Sequence, residues 1–268
     1  MHYPTYRQSI ILLLIWLAAT TVSVVALMLS FFDIHDGIGL SIAYALSMLL
    51  TIAAGFALRR NWALPMHMFP VPVIFISITA VIAAQIVIEP VQNLLPISDT
   101  LIKMSQGMRT QPYPYFFMVV IAAPVLEEIL FRGIILDGFL KNYKPIHAIC
   151  VSAFLFGLIH GNLAQGFGAF ILGIFFGWVY WKTKSIIPCI LLHAVNNGVA
   201  FFTVLFTNET NLEKSVRELI NNDLFYLTLY VISIGVASGL IWILYKKYFY
   251  ELPVAENPPE EIFQNPQV

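Results

Sequence analysis

Residues 116–140 read FFMVVIAAPVLEEILFRGIILDGFL, an apolar run with Glu127, Glu128 and Arg132 near its centre. The flanking residues suit hydrocarbon. A charged side chain alone at the centre of a membrane helix costs roughly 2.5–3.5 kcal/mol on insertion scales. Three charges there need a reason, and composition decides whether lipid is the right reference. Of the 268 residues, 59% are hydrophobic and 11% charged, against about 25% charged in an average soluble domain. This predicts a polytopic membrane protein rather than one or two soluble domains. A formal net charge of −1 and the absence of any Lys/Arg run give no sign of nucleic-acid binding. Cys150 and Cys189 lie far apart in apolar runs, which is neither a disulfide framework nor a zinc spacing.

Working outward, apolar runs of membrane-spanning length cover about 9–31, 38–58, 71–89, 113–137, 164–181, 185–206 and 224–245. The first is longer than a signal-peptide core and has no A-x-A-like end, so it reads as a retained span. Between the fourth and fifth lies PIHAICVSAFLFGLIHG, 145–161, a shorter apolar segment that starts with Pro145, a residue suited to a first helical turn. The fold class is therefore all-α: a polytopic membrane protein of about eight transmembrane helices, one of them short. Residues 1–250 form one integral-membrane domain with no internal repeat. Ser98 is placed to cap a short surface helix over SDTLIKMSQGM. The tail 251–268 has four Glu and four Pro in eighteen residues and reads as disordered and cytoplasmic.

Loop charge sets orientation. With the N-terminus inside, the inner segments hold Arg7, Arg59, Arg60, Lys141, Lys144, Lys182, Lys184, Lys246 and Lys247, and the outer ones Lys103, Arg109, Lys214 and Arg217. Nine against four predicts both termini in the cytoplasm.

The ionisable groups within the spans are few: Glu127, Glu128, Arg132, His160 and His193. Glu128 and Arg132 are four apart, hence on one helix face and able to pair. Glu127 points about 100° away from Glu128 and is left without that explanation. Asn197 follows His193 by four residues and shares its face, while Asn196 is offset toward a neighbouring helix. Gly157 with Gly161, and Gly173 with Gly177, are small-residue pairs that favour close helix approach. Each polar residue alone reads as well as packing glue as chemistry. Together, two Glu, two His and an Asn on three spans form the usual inventory of a hydrolytic site.

The order E-E-x-x-x-R (Glu127, Glu128, Arg132), F-x-x-x-H (Phe156, His160) and H-x-x-x-N (His193, Asn197) resembles the three motifs of the CPBP intramembrane proteases. That family includes type II CAAX prenyl endopeptidases and bacterial Abi proteins. The resemblance covers about 113–206. It implies an endopeptidase whose site opens toward the cytosolic side of a membrane, here expected to be a bacterial plasma membrane, acting on a peptide or protein substrate. Glu127 would activate water with His160 beside it, and His193 and Asn197 would bind a metal or stabilise the oxyanion. Glu128 and Arg132 would hold the first helix's geometry or meet the substrate. The family is often called metalloprotease, and a metal-free glutamate mechanism has also been argued for it. Both routes stay open, zinc on His160 and His193 being the first. H-E-x-x-H and G-x-S-x-G are absent from the sequence, which sets aside zincin and rhomboid-like arrangements. The alternatives are a non-catalytic bacteriocin-immunity or scaffold protein that keeps the fold, and a transporter with a buried ion path. The transporter would need paired broken helices, which the sequence does not show.

Overall fold

The computed structural model describes residues 2–28, 37–96, 98–207 and 214–250. The expected disordered tail, 251–268, lies outside the described residues. The elements in chain order are α1 (Tyr6–Met28), α2 (Gly37–Arg59), α3 (Pro72–Gln92) and α4 (Asp99–Thr110). They are followed by α5, a continuous helical run over 112–142, then α6 (Pro145–Leu158), α7 (Leu163–Thr183) and α8 (Ile186–Phe206). The short α9 (Val216–Ile220) and α10 (Asp223–Ile243, continuing to Phe249) complete the described chain. Six of these helices are long and apolar enough to cross a membrane, and α5 and the shorter apolar α6 add the two others expected. The polypeptide is an all-α polytopic membrane protein, and the only extended pairing among the described residues is an isolated bridge between Met66 and Ser185.

Helix α5 is the axis of the fold. Every residue from Leu130 to Leu136 is buried, so this stretch is apolar all round because protein surrounds it on all sides. Around it α1 pairs with α2, α6 with α7, and α3 with α10. The backbone of α5 is not uniform. It widens into π turns over Phe117–Ala122 and Ile129–Leu136, and between them runs the α segment Ala123–Glu128. Pro124 is the local cause of the first widening. It lacks an N–H, and in a regular helix its ring would meet the carbonyl four residues back. Ala123 instead donates to Met118 O, five residues back. Glu127 and Glu128 thus stand on a regular turn between two wide ones, a setting frequent at functional sites.

The ends of the helices sort onto two faces. On one, Asn142 bonds the backbone of His2 in both directions, at 2.9 and 2.6 Å, and Tyr6 stacks on Tyr143. Tyr180 donates to Asp137 at 3.0 Å, Lys182 to Phe249 O at 3.1 Å, and Ile186 N–H to Pro65 O at 2.9 Å. On the other, Asn162 donates to Ser98 Oγ at 2.7 Å, Val216 N–H to Glu89 at 2.7 Å, and Arg109 to Thr207 O. Ser98 caps α4 as its sequence position requires, its Oγ accepting from Leu101 N–H at 3.3 Å. Met108 of that helix is buried with Tyr115 and Phe201, so α4 lies across the ends of α5 and α8.

One expectation about packing changes. Gly161 is not part of a helical small-residue pair: α6 ends at Leu158, and Gly161 sits beyond it with φ +62°. The close approach is made between α6 and α7. A Cβ on Gly157 would lie 2.6 Å from Gly166 O, and one on Gly166 would lie 2.8 Å from Gly157 O. Gly173 behaves as read, with Ala153 and Phe156 against it.

Candidate active site

Three helices, α5, α6 and α8, carry the motif residues to one centre. Glu128 is fully buried on α5 and Arg132, one turn on, donates from Nη1 to its Oε1 at 2.8 Å. The i,i+4 pair read from spacing is therefore made. It is also more than a pair. Arg132 Nη2 donates to Gly173 O on α7 at 3.1 Å, and its guanidinium lies over the rings of Phe156, at 4.6 Å, and Phe176, at 5.5 Å. A desolvated cation over aromatic faces is stabilised by about 2 kcal/mol. The carboxylate has a further partner, since His193 Nδ1 lies 2.9 Å from the same Glu128 Oε1. A carboxylate only accepts, so Nδ1 is the donor there, and in the neutral ring Nε2 is left with the lone pair.

Glu127 is placed differently. It is 8% exposed against 0% for Glu128, and its neighbours leave half of it free. The hydroxyl of Tyr44, on α2, donates to Oε1. Oε2 is buried, has no hydrogen-bond partner among the described residues, and faces His193 Nε2 at 3.9 Å. That distance is too long for a direct hydrogen bond. Glu128 Oε2 is likewise buried and unpartnered among the described residues. The two adjacent carboxylates differ in what surrounds them: Glu128 is held by a guanidinium and an imidazole, and Glu127 is held by a phenol and turns its second oxygen toward His193 Nε2.

Asn197 Nδ2 donates to Val119 O on α5 at 2.9 Å, and Asn196 donates to Asn197 Oδ1 at 3.1 Å. Asn196 in turn accepts from Gln85 of α3, so it does face a neighbouring helix. His160 lies past the end of α6, and its Nδ1 bonds Phe156 O at 2.8 Å. A carbonyl also only accepts, so this nitrogen too is the donor. The ring of Phe156 stands edge-on to both histidines, with centroids 5.1 Å from His160 and 5.6 Å from His193. His160 thus reaches the edge of the centre, on the far side of Phe156. Counting about 1.5 Å per residue along a straight helix puts it much deeper than Glu127 and His193. Phe156, one turn before it, still links it to His193 by touching both rings.

Both histidines leave Nε2 as the free nitrogen, which is zinc-ligand chemistry. Among the described residues, however, no group of three or more His, Cys, Asp or Glu is gathered closely enough to hold a metal ion. Zinc on His160 and His193 would need a third ligand beyond these two side chains.

Two members of the centre were missed by sequence reasoning: Tyr44 and Gln85. Both are polar residues in apolar spans, in SIAYALSMLL and VIAAQIVIE. A search restricted to acidic, basic and motif residues passes over them.

Residues 109–199 match the family model described as Rce1-like, type II CAAX prenyl endopeptidase Rce1-like. A stretch of 99 residues, 37% of this chain, is 32% identical to YdiL of Bacillus subtilis (strain 168), provisionally named a membrane peptidase, and covers 41% of that protein. Another of 112 residues, 39% of this chain, is 30% identical to the membrane-embedded CAAX protease MroQ of Staphylococcus aureus (strain USA300) and covers 44% of it. The matches thus span about two fifths of the length of these relatives. No solved structure matches the chain significantly. The three motifs fall inside the matched segment, and it is over this segment that the chain is similar to membrane CAAX proteases.

Proposed function

We propose that the chain is an intramembrane endopeptidase in which Glu127 is the general base. The observation that carries this reading is the approach of Glu127 Oε2, unpartnered among the described residues, to within 3.9 Å of the lone-pair nitrogen His193 Nε2. A water held between these atoms would give its proton to Glu127 as its oxygen attacks the peptide carbonyl carbon. The C–N bond then breaks as the protonated Glu127 returns that proton to the leaving amine. Glu128 acts through His193: it keeps Nδ1 protonated and Nε2 turned toward Glu127. Asn197 Nδ2 has a second N–H besides the one given to Val119 O, and this is the donor assigned to the oxyanion. The site lies in the plasma membrane of a bacterium, a reading supported by the bacterial source of both relatives. The face that carries the N-terminus and the excess of Lys and Arg is its cytosolic side, with the site opening there.

The substrate is a peptide or protein segment. A terminus-resolved proteome comparison tests the reading, between cells expressing the wild-type chain and cells expressing Glu127→Gln at equal level. Wild type is expected to generate neo-termini that the variant lacks. Identical terminus sets would instead favour a scaffold or immunity protein that keeps the protease fold. A zinc-selective chelator is expected to leave turnover unchanged; loss that added zinc restores would put His160 and His193 on a metal.

A further inference from the structure

Tyr44 is the partner of the proposed base, and nothing in the three motifs or in the matched segment includes it. It sits on α2, outside residues 109–199. Its hydroxyl makes the one hydrogen bond that Glu127 has among the described residues. Helix α2 is a firm mount for it. Met48 and Thr51 of that helix are fully buried, and a Cβ on Gly55 would lie 3.0 Å from Ile134 Cδ1 of α5, so the two helices are in close contact.

We propose that Tyr44 is a positioning residue: by donating to Oε1 it fixes the Glu127 carboxylate so that Oε2 stays free for water. The inference rests on Glu127 being the base. The argument is one of orientation. His193 Nε2 stands 3.9 Å from Oε2, about 1 Å beyond an ordinary hydrogen bond. A glutamate side chain turns about three torsions. Nε2 carries a lone pair and offers Oε2 no proton, so an unanchored Glu127 swings away from the imidazole. Oε2 and Nε2 then no longer reach the same water. The Tyr44 hydroxyl engages the other oxygen from the opposite helix and holds the two acceptors close enough to share one water. Misplacement of about 1 Å in a catalytic group costs up to about 10²-fold in rate.

The test is Tyr44→Phe, which keeps the ring and removes only the hydroxyl, assayed in purified, detergent-solubilised protein on a peptide recovered from the proteome comparison. Expected are a 10- to 100-fold fall in kcat, a KM changed by less than about threefold, and an unchanged thermal unfolding midpoint. In the Glu127→Gln background the same change should cost nothing further, because a residue that acts through Glu127 has nothing left to position. Incorporation of 3-fluorotyrosine at 44, which retains the hydroxyl, should restore kcat. Wild-type kcat in Tyr44→Phe with Glu127→Gln inactive overturns the role of Tyr44 alone. A rise in KM at constant kcat, or loss of the folded state, also overturns it by making the hydroxyl a substrate contact or a stability element. A fully active Glu127→Gln instead removes the base itself.

Discussion

At the residue scale the centre is a case of two neighbouring carboxylates given different partners by their surroundings. Glu128 accepts from Arg132 and His193 on one oxygen and is completely buried. Removing Arg132 alone leaves a buried carboxylate without its cation, which destabilises by about 3–5 kcal/mol. Arg132→Leu is therefore expected to lower the midpoint of denaturant unfolding in detergent strongly. The double variant Glu128→Leu/Arg132→Leu should recover most of that loss and not all, since His193 Nδ1 then loses its acceptor. A double variant no more stable than Arg132→Leu would contradict the ion-pair account. The pair was legible because spacing of four residues fixes a shared helix face. The hydroxyl of Tyr44 was not legible in the same way. A tyrosine in a membrane span is often an interfacial anchor, and only the packing of α2 on α5 shows this one turned inward.

At the element scale the eight apolar helices were readable from length and composition, and their detail was not. Sequence spacing pairs Gly157 with Gly161, yet α6 stops at Leu158 and the true partner is Gly166 on the next helix. Periodicity within one segment cannot report where that segment ends against another. The contact makes a prediction. Gly157→Ala puts a Cβ 2.6 Å from the backbone oxygen of Gly166, which cannot move without parting α6 from α7. Overpacking of this kind costs about 1–3 kcal/mol. Because Phe156 and His160 ride on the same helix end, peptide cleavage should fall as well. Gly239→Ala, where no atom lies within 4 Å of the added Cβ, is the control and should change neither unfolding nor cleavage. The π turns of α5 were equally hidden. Pro124 signals a perturbation, but its form depends on how Ala123 finds Met118 O.

At the scale of the whole molecule the helix ends fall on two faces, and loop charge predicts which of them is cytoplasmic. Lys141 lies on the face of the N-terminal segment, near Asp137 at 2.6 Å, and Lys103 lies on α4 at the other face. In a background with Cys150 and Cys189 replaced by alanine, Lys141→Cys should react with an impermeant thiol reagent only after cells are opened. Lys103→Cys should react in intact cells. Labelling of both from one side would contradict the map. The two-faced arrangement follows from alternating apolar and basic segments, which is why it was legible before any contact was known. The convergence of α2, α5 and α8 on one carboxylate is a tertiary fact that no local pattern carries. That convergence is the central claim, and turnover by Glu127→Gln tests it most directly. The change is nearly isosteric and removes a buried charge, so the purified protein should remain folded, while loss of the base lowers kcat by about 10²–10⁴-fold. A folded Glu127→Gln protein that cleaves peptide at the wild-type rate would contradict the account.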